Sequence, residues 1–216
     1  MILSNLGCFK YNMTQIILDT TPIIECNLDK IKMISHDDNK DQLMHIVQDL
    51  YASNVNYNNA HHASVWCSPN GIQSIHSFNN FVTSTEISSY AEIMEKRYNV
   101  KSFKTVAITD MWVTITPPGG QLLPKRRIKS LVTGTYFLHS PQENATMNIK
   151  KPIDPHWYDK VFDPFNRTHY NSPEEFVNME EGWIYFYPSY LESHTTTNLS
   201  NEDRISIDFI LDVVNK

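Results

Sequence analysis

Residues with the chemistry of a functional site gather near the C-terminal end, in YPSYLESHTTTNLSNEDRISIDFIL, residues 187–211. His194 occupies a turn between two strand-like runs, and Arg204 opens the second run ten residues later. An imidazole carries a lone pair for a transition metal, and a guanidinium makes paired hydrogen bonds to a carboxylate. Arg204 and Ser206 stand two apart in that run, so both side chains point to one face of a strand. The plainer alternative for Arg204 is an edge arginine paired with Glu202 or Asp203. A second cluster, Lys125-Arg126-Arg127, stands out on a chain of formal net charge −6. Runs of like charge are usually solvated, so a basic surface turn is the expectation for it.

The remaining histidines carry less. His61 and His62 are adjacent, so their rings point apart, and no nearby Cys or acid completes a ligand set; a polar loop is expected. His156 is expected to pack beside Trp157, and His139 to sit at the solvent end of a strand. Trp66, Trp112 and Trp183 read as core or barrel-face aromatics. There is no Gly-rich phosphate loop and no nucleophile elbow. Cys8, Cys26 and Cys67 lack CxxC spacing, which argues against zinc and a disulfide framework and for free thiols in a reducing compartment. The acidic balance excludes non-specific nucleic-acid binding, and no apolar run approaches the roughly 20 residues that span a bilayer. The opening MILSNLGCFKYN lacks a basic flank and a sustained apolar stretch, so it does not read as a signal peptide. A cytoplasmic protein is expected.

The elements that must position these groups follow from periodicity. With 216 residues, one domain is the default. QIILDTTPIIE (15–25) reads as strand, turn and strand. Leu43, Ile46, Val47 and Leu50 form one stripe of a helix over about 39–52, with Asp38 as its cap. Ile87, Tyr90, Ala91, Met94 and Tyr98 mark a second helix over about 84–98, opened by a Thr83/Glu86 capping box. Residues 53–80 are expected to be mostly loop. Strands are predicted in KTVAITDMWVTIT (104–116), SLVTGTYFL (130–138), GWIYFYP (182–188) and RISIDFILDVV (204–214), with one more near Met147–Ile149. Residues 139–181 otherwise form a long, Pro-punctuated connection, a kind that usually serves function or interaction. Short strands without long intervening helices predict a mainly β (α+β) antiparallel sandwich or barrel, with the two helices outside it.

Three stretches together resemble a known family. TDMWVTITPPGGQLLPKRRIKSLVTGTYFL is similar to the Trp strand, Gly turn and aromatic strand of phage and bacterial 2-oxoglutarate/Fe(II) oxygenases, and YPSYLES followed by RISIDFIL resembles that family's ending. The N-terminal IILDTTPII resembles its opening strand, so the likeness runs over about residues 14–212. It implies a double-stranded β-helix (jelly roll) as a single domain over 14–216, preceded by an extension of residues 1–13. It also implies a pocket for iron and 2-oxoglutarate at one end of the core. By the same resemblance Arg204, Ser206 and Tyr136 are the residues expected to hold the cosubstrate's distal carboxylate.

The family's iron ligands, carried over position by position, fall on Lys125, Arg127 and Ser193. An ammonium or guanidinium has no lone pair and repels a divalent ion. His194 stands one residue late, which on a strand turns it to the opposite face unless a bulge re-aims it. No metal ligand and no catalytic residue is therefore expected, and no cofactor. Lys125 and Arg127 bring positive charge to the place of the ion, or else belong to the solvated turn described above. The resemblance then implies a non-catalytic structural or partner-binding protein, with protein partners or self-assembly and a phage particle as a setting. The alternative is an active 2-oxoglutarate/Fe(II)-dependent hydroxylase with displaced ligands, His194 among them.

Overall fold

A computed structural model describes residues 28–54, 65–127, 130–141, 145–151 and 173–216. Its strands are β1 (Asp29–Lys32), β2 (Trp66–Cys67), β3 (Lys104–Thr116), β4 (Val132–His139), β5 (Thr146–Lys150), β6 (Glu174–Asn178), β7 (Trp183–Pro188), β8 (Glu192–Thr195) and β9 (Arg204–Asn215). Its helices are α1 (His36–Ser53), α2 (Asn79–Val82) and α3 (Thr85–Arg97). Six strands form one sheet in the order β1-β7-β4-β9-β3-β2, and β6-β5-β8 form a second. Every pairing among them is antiparallel.

Alternation along the central strands assigns each face of the large sheet a different task. Odd-numbered Ile205, Ile207, Phe209 and Leu211 of β9 are buried with Tyr136 and Leu138 of β4 and with Ile184 and Phe186 of β7. Leu43 and Val47 of α1, Phe81 of α2, and Ile87, Tyr90 and Met94 of α3 cover that face. Fully burying one such side chain contributes about 1.5–3 kcal/mol, so the helices are held by their apolar stripes and not by their ends. On the opposite face Phe137, Tyr185 and Tyr187 meet Met147 and Ile149 of β5 and Val177 of β6. The large sheet is thus a middle layer, with helices on one side and the small sheet on the other.

Two irregularities keep the layers in register. Val106 and Met111 are five apart on β3, yet both join the helix-side core. A register shift between Ile108 and Asp110 makes this possible, because one extra residue reverses the parity of everything after it. Asp110 holds the shift: its Oδ1 accepts the backbone N–H groups of Gly71 and Met111 at 3.0 Å each. Gly134 of β4 lies directly opposite Phe209 of β9. A Cβ at that position would come within 2.3 Å of the Phe209 ring, so only glycine admits the ring.

The predicted helices and the five long or central strands are present, with bounds shifted by a few residues. The caps differ. Asp38 lies inside the first turn of α1, which starts after Ser35, and no side chain caps either long helix. Glu86 instead accepts the backbone N–H of Ile34 at 2.9 Å, tying α3 to the segment before α1. The described part of 53–80, read as mostly loop, holds β2, two short 3-10 turns and the start of α2, and its first two residues end α1. The QIILDTTPIIE segment, the extension 1–13, Cys8, Cys26, His61, His62 and His156 lie outside the described residues. No helix among the described residues is long and apolar enough to cross a membrane.

Candidate functional site

The even-numbered residues of β9 point between the two sheets, into a solvent-open cleft of about 540 Å³ of empty space. Arg204, Ser206 and Asp208 form its floor along one strand. Thr135 and Phe137 of β4, Trp112 and Thr114 of β3, and Ser193 and Thr195 of β8 complete the walls. Lys125 and Arg127 close one side from the segment that follows β3.

Asp208 is buried, and three hydroxyls satisfy it. Its Oδ2 accepts from Thr114 at 2.7 Å and from Ser206 at 3.1 Å, and its Oδ1 accepts from Thr135 at 2.8 Å. Each donor stands at the rung that strand pairing dictates: Thr135 pairs with Asp208, and Thr114 with Ser206. Sequence reasoning stopped at Arg204 and Ser206. The same two-residue step, extended once more along RISID, reaches Asp208.

Arg204 is only 2% exposed. Its Nη2 donates to Thr195 Oγ1 at 2.9 Å and to the Thr196 carbonyl at 3.2 Å, whereas Nη1 is buried with no partner among the described residues. Burial pushes its pKa down to about 10. No carboxylate pairs with it among the described residues; the edge pairing with Glu202 or Asp203 is not formed. Among the described residues, this buried guanidinium gains no counter-charge in exchange for its hydration.

The Lys125-Arg126-Arg127 run is not the solvated turn expected of it. Lys125 and Ser193 form a two-way backbone bridge, with both N–H···O distances 3.0 Å, and Arg127 N–H donates to Ser189 O at 2.9 Å. This extended pairing imposes a period of two. Lys125 and Arg127 face the cleft, and Arg126 turns out to pair with Glu192 at 3.4 Å. The Arg127 guanidinium lies 3.7 Å from the Trp112 ring centroid, a cation–π contact that fixes its position. Burial and the neighbouring Arg127 push the Lys125 pKa down.

Ser193 therefore stands against Lys125, and its hydroxyl hydrogen-bonds with Tyr187 Oη at 3.0 Å. His194 borders the cleft with its Nε2 3.1 Å from Asn148 Nδ2. Asn148 Oδ1 accepts from the Thr146 hydroxyl at 3.1 Å, and the second ring nitrogen of His194 is Nδ1. That Nδ1 is buried with no partner among the described residues.

Tyr136 is elsewhere. It pairs with Ile207, an odd-numbered residue of β9, and so faces the helices. Its hydroxyl lies 2.5 Å from His36 Nδ1, and its ring packs on Phe81. Its neighbours Thr135 and Phe137 occupy the cleft side instead. The expectation failed on parity: a β4 residue meets Arg204 and Ser206 only from an odd-numbered position. His139 is the last residue of β4 and is partly exposed, with Nδ1 2.9 Å from Glu181 and Nε2 3.1 Å from Glu202.

A divalent metal does not fit the cleft as these residues build it. Among the described residues no group of three His, Cys, Asp or Glu side chains is arranged to hold a metal. Asp208, the one carboxylate lining the cleft among the described residues, already accepts from three hydroxyls, and two cations stand on the side where a ligand pair is needed. A 2-oxoglutarate carboxylate does fit at Arg204, whose unpartnered donor is the group such an anion needs.

Comparison with known proteins follows this geometry. Residues 110–209 match the family model described as "Putative 2OG-Fe(II) oxygenase". The match spans β3 from its bulge onward, β4 to β8, and β9 as far as Phe209, and leaves out β1, β2 and the helices. Among solved structures the chain is similar to SnoK, a non-heme alpha-ketoglutarate-dependent carbocyclase from nogalamycin biosynthesis. That alignment has 12% identity, covers 89% of this chain and 83% of SnoK, and has a TM-score of 0.63. A Pseudomonas putida prolyl-4-hydroxylase aligns at 7% identity over 87% of this chain and 92% of its own, with a TM-score of 0.56. HygX from Streptomyces hygroscopicus, solved with nickel, 2-oxoglutarate and hygromycin B, aligns at 9% identity over 87% and 83%, with a TM-score of 0.59. No curated protein matches the chain in sequence. The protein is mainly β, with the double-stranded β-helix fold of the 2-oxoglutarate/Fe(II) oxygenases.

Proposed function

We propose that the protein is a non-catalytic binding or structural module built on the oxygenase fold. The observation that carries this reading is the Lys125–Ser193 bridge. It brings an ammonium and a hydroxyl together in the cleft, with Arg127 beside them, at the positions that the family resemblance assigns to iron ligands. Fold does not fix function, and a jelly roll stripped of its ligands keeps a framework suited to assembly. Protein partners or self-association follow from this reading, and a tailed-phage particle as the setting rests on the resemblance alone.

Anaerobic titration with Fe(II) and 2-oxoglutarate tests the reading. The expected outcome is no visible charge-transfer band, and on admitting O₂ no conversion of 2-oxoglutarate to succinate. Stoichiometric iron binding with that band would overturn it. Sedimentation of the purified protein, alone and with particle components, tests the assembly setting; a strict monomer that binds none of them counts against it.

A second reading, an active 2-oxoglutarate/Fe(II)-dependent hydroxylase with displaced ligands, has one observation in its favour. His194 borders the cleft with a buried, unpartnered Nδ1. One imidazole is not a facial triad. Under that reading the iron titration succeeds and His194→Ala abolishes it.

A further inference from the structure

We infer that Glu181 holds two histidines in opposite proton states, His36 neutral and His139 cationic, and that the pair forms a pH-sensitive latch between the start of α1 and the end of β4. None of the groups involved lines the cleft, so the latch stands whether or not the cleft takes iron.

Tyr136 sets the state of His36. The phenol is fully buried, and its one hydrogen-bond partner among the described residues is His36 Nδ1, at 2.5 Å. Burial, followed by the charges of Glu181, Asp37 and Glu86, pushes the phenol's pKa up, so it keeps its proton. A buried hydroxyl needs an acceptor for that proton, and Nδ1 is the one within reach. Nδ1 therefore accepts, and the single proton of a neutral imidazole sits on Nε2, 3.4 Å from Glu181 Oε1. A second proton would turn Nδ1 into a donor and strand the phenol's hydrogen against the Phe81 ring. It would also place a charge on a side chain that is buried. Asp37 of α1 and Glu86 of α3 favour that charge, but neither hydrogen-bonds the ring among the described residues.

His139 is placed the other way. Its Nδ1 meets Glu181 Oε2 at 2.9 Å and its Nε2 meets Glu202 Oε2 at 3.1 Å. Ionised carboxylates only accept, so both ring nitrogens donate, and an imidazole with two N–H groups is a cation. Glu181 stays ionised while the rings titrate: burial raises its pKa, but hydrogen bonds from Lys40, Ser140 and His139 hold it at about 2. Charge agrees with this assignment. Lys40 and a cationic His139 balance Glu181 and Glu202, so the cluster is neutral only when His36 carries no charge.

The two rings then answer pH in opposite directions. A group favoured as a cation in the fold stabilises it below its titration and loses that contribution as pH rises. When His139 gives up a proton, one nitrogen turns a lone pair toward a carboxylate, and the contact with the more exposed Glu202 yields first. A group favoured as neutral behaves in reverse. As pH falls, His36 takes up the proton that the fold disfavours, and the Tyr136 bond that seats the first residue of α1 breaks. The latch is tightest between the two titrations.

Long-range proton–nitrogen NMR spectra of the whole protein near neutral pH read both states. His36 is recognised by the contact of its ring with Tyr136, and His139 by the signals lost in His139→Gln, a change at a partly exposed position. One protonated nitrogen on His36, Nε2, and two on His139 are expected. Two rings in the same state, or a His36 proton on Nδ1, overturn the inference. Urea denaturation across the histidine range gives a second readout. The deficit of His139→Gln against the parent should be full on the acid side and shrink as pH rises. The deficit of Tyr136→Phe should be full on the alkaline side and shrink as pH falls. Each change approaches about tenfold in the folding constant per pH unit, the limit for one proton. A deficit independent of pH in either variant, as loss of a purely structural contact would give, overturns the latch. If Tyr136→Phe does not fold, the spectra of the parent decide the matter.

Discussion

Glu181, in the turn before β7, gathers four polar partners. Its Oε1 meets Lys40 Nζ at 2.5 Å and His36 Nε2 at 3.4 Å, and its Oε2 meets His139 Nδ1 at 2.9 Å and Ser140 N at 3.2 Å. Burial raises its pKa, but the hydrogen bonds from Lys40, Ser140 and His139 outweigh burial and hold it at about 2. A depressed acid stabilises the fold above its unfolded-state pKa and loses that contribution as pH falls through the folded value. Glu181→Gln is therefore expected to cost about 1–2 kcal/mol at pH 7, after discounting for its partial exposure. The difference from the parent should shrink between pH 4.5 and 2, as urea denaturation at several pH values would show. Arg204 has the opposite character, since burial without a counter-ion works against its charge. Arg204→Met is expected to raise the urea midpoint, a gain of about 1 kcal/mol. At this scale, legibility depended on parity. The shared face of Arg204 and Ser206 followed from their spacing, and Asp208 was available by the same step. Tyr136 and the basic run were misplaced because which neighbouring residue sits at which rung is set by pairing partners far away in the chain.

Among the elements, β4 and β9 depend on each other through one missing side chain. Gly134→Ala would press a methyl group into the Phe209 ring, and overpacking of this kind costs about 1–3 kcal/mol. Gly134→Ala combined with Phe209→Leu is expected to recover part of that loss, so the two changes should be markedly non-additive in a double-mutant cycle. The long strands were visible in the sequence because β-branched residues run through them, and the helices because their apolar stripes repeat at helical spacing. Three features left no comparable trace. β1, β6 and β8 are four or five residues long and carry charge, as in DKIK, so local composition argues against strand. The shift in β3 depends on Asp110 capturing the Gly71 and Met111 amides, a tertiary event. The helix starts lack side-chain caps, so capping rules pointed to residues that serve other partners.

For the whole molecule, the helices share one apolar cluster with one face of the large sheet, and the small sheet shares a second with the other face. Both clusters draw on β4 and β7, which couples the layers through the same strands, and a small third cluster joins Val65, Cys67 and Trp112. Unfolding followed by far-UV circular dichroism and by tryptophan fluorescence is therefore expected to give coincident transitions with one midpoint. Two separated transitions would show that the helical layer and the sandwich melt apart. The antiparallel sandwich with outer helices was legible from strand spacing and turn signals, and the order in which the strands lie was not, because pairing between distant segments leaves no local mark.

The split personality of β9 has a consequence for descent and for engineering. Substitutions at 204, 206 and 208 change the lining of the cleft, while 205, 207, 209 and 211 go on anchoring the scaffold untouched. Loss of a single codon inside that stretch would swap the two sets and sacrifice both at once. Point changes alone can thus remodel the cleft, and a designer can treat the alternate positions as a replaceable cassette on a fixed chassis.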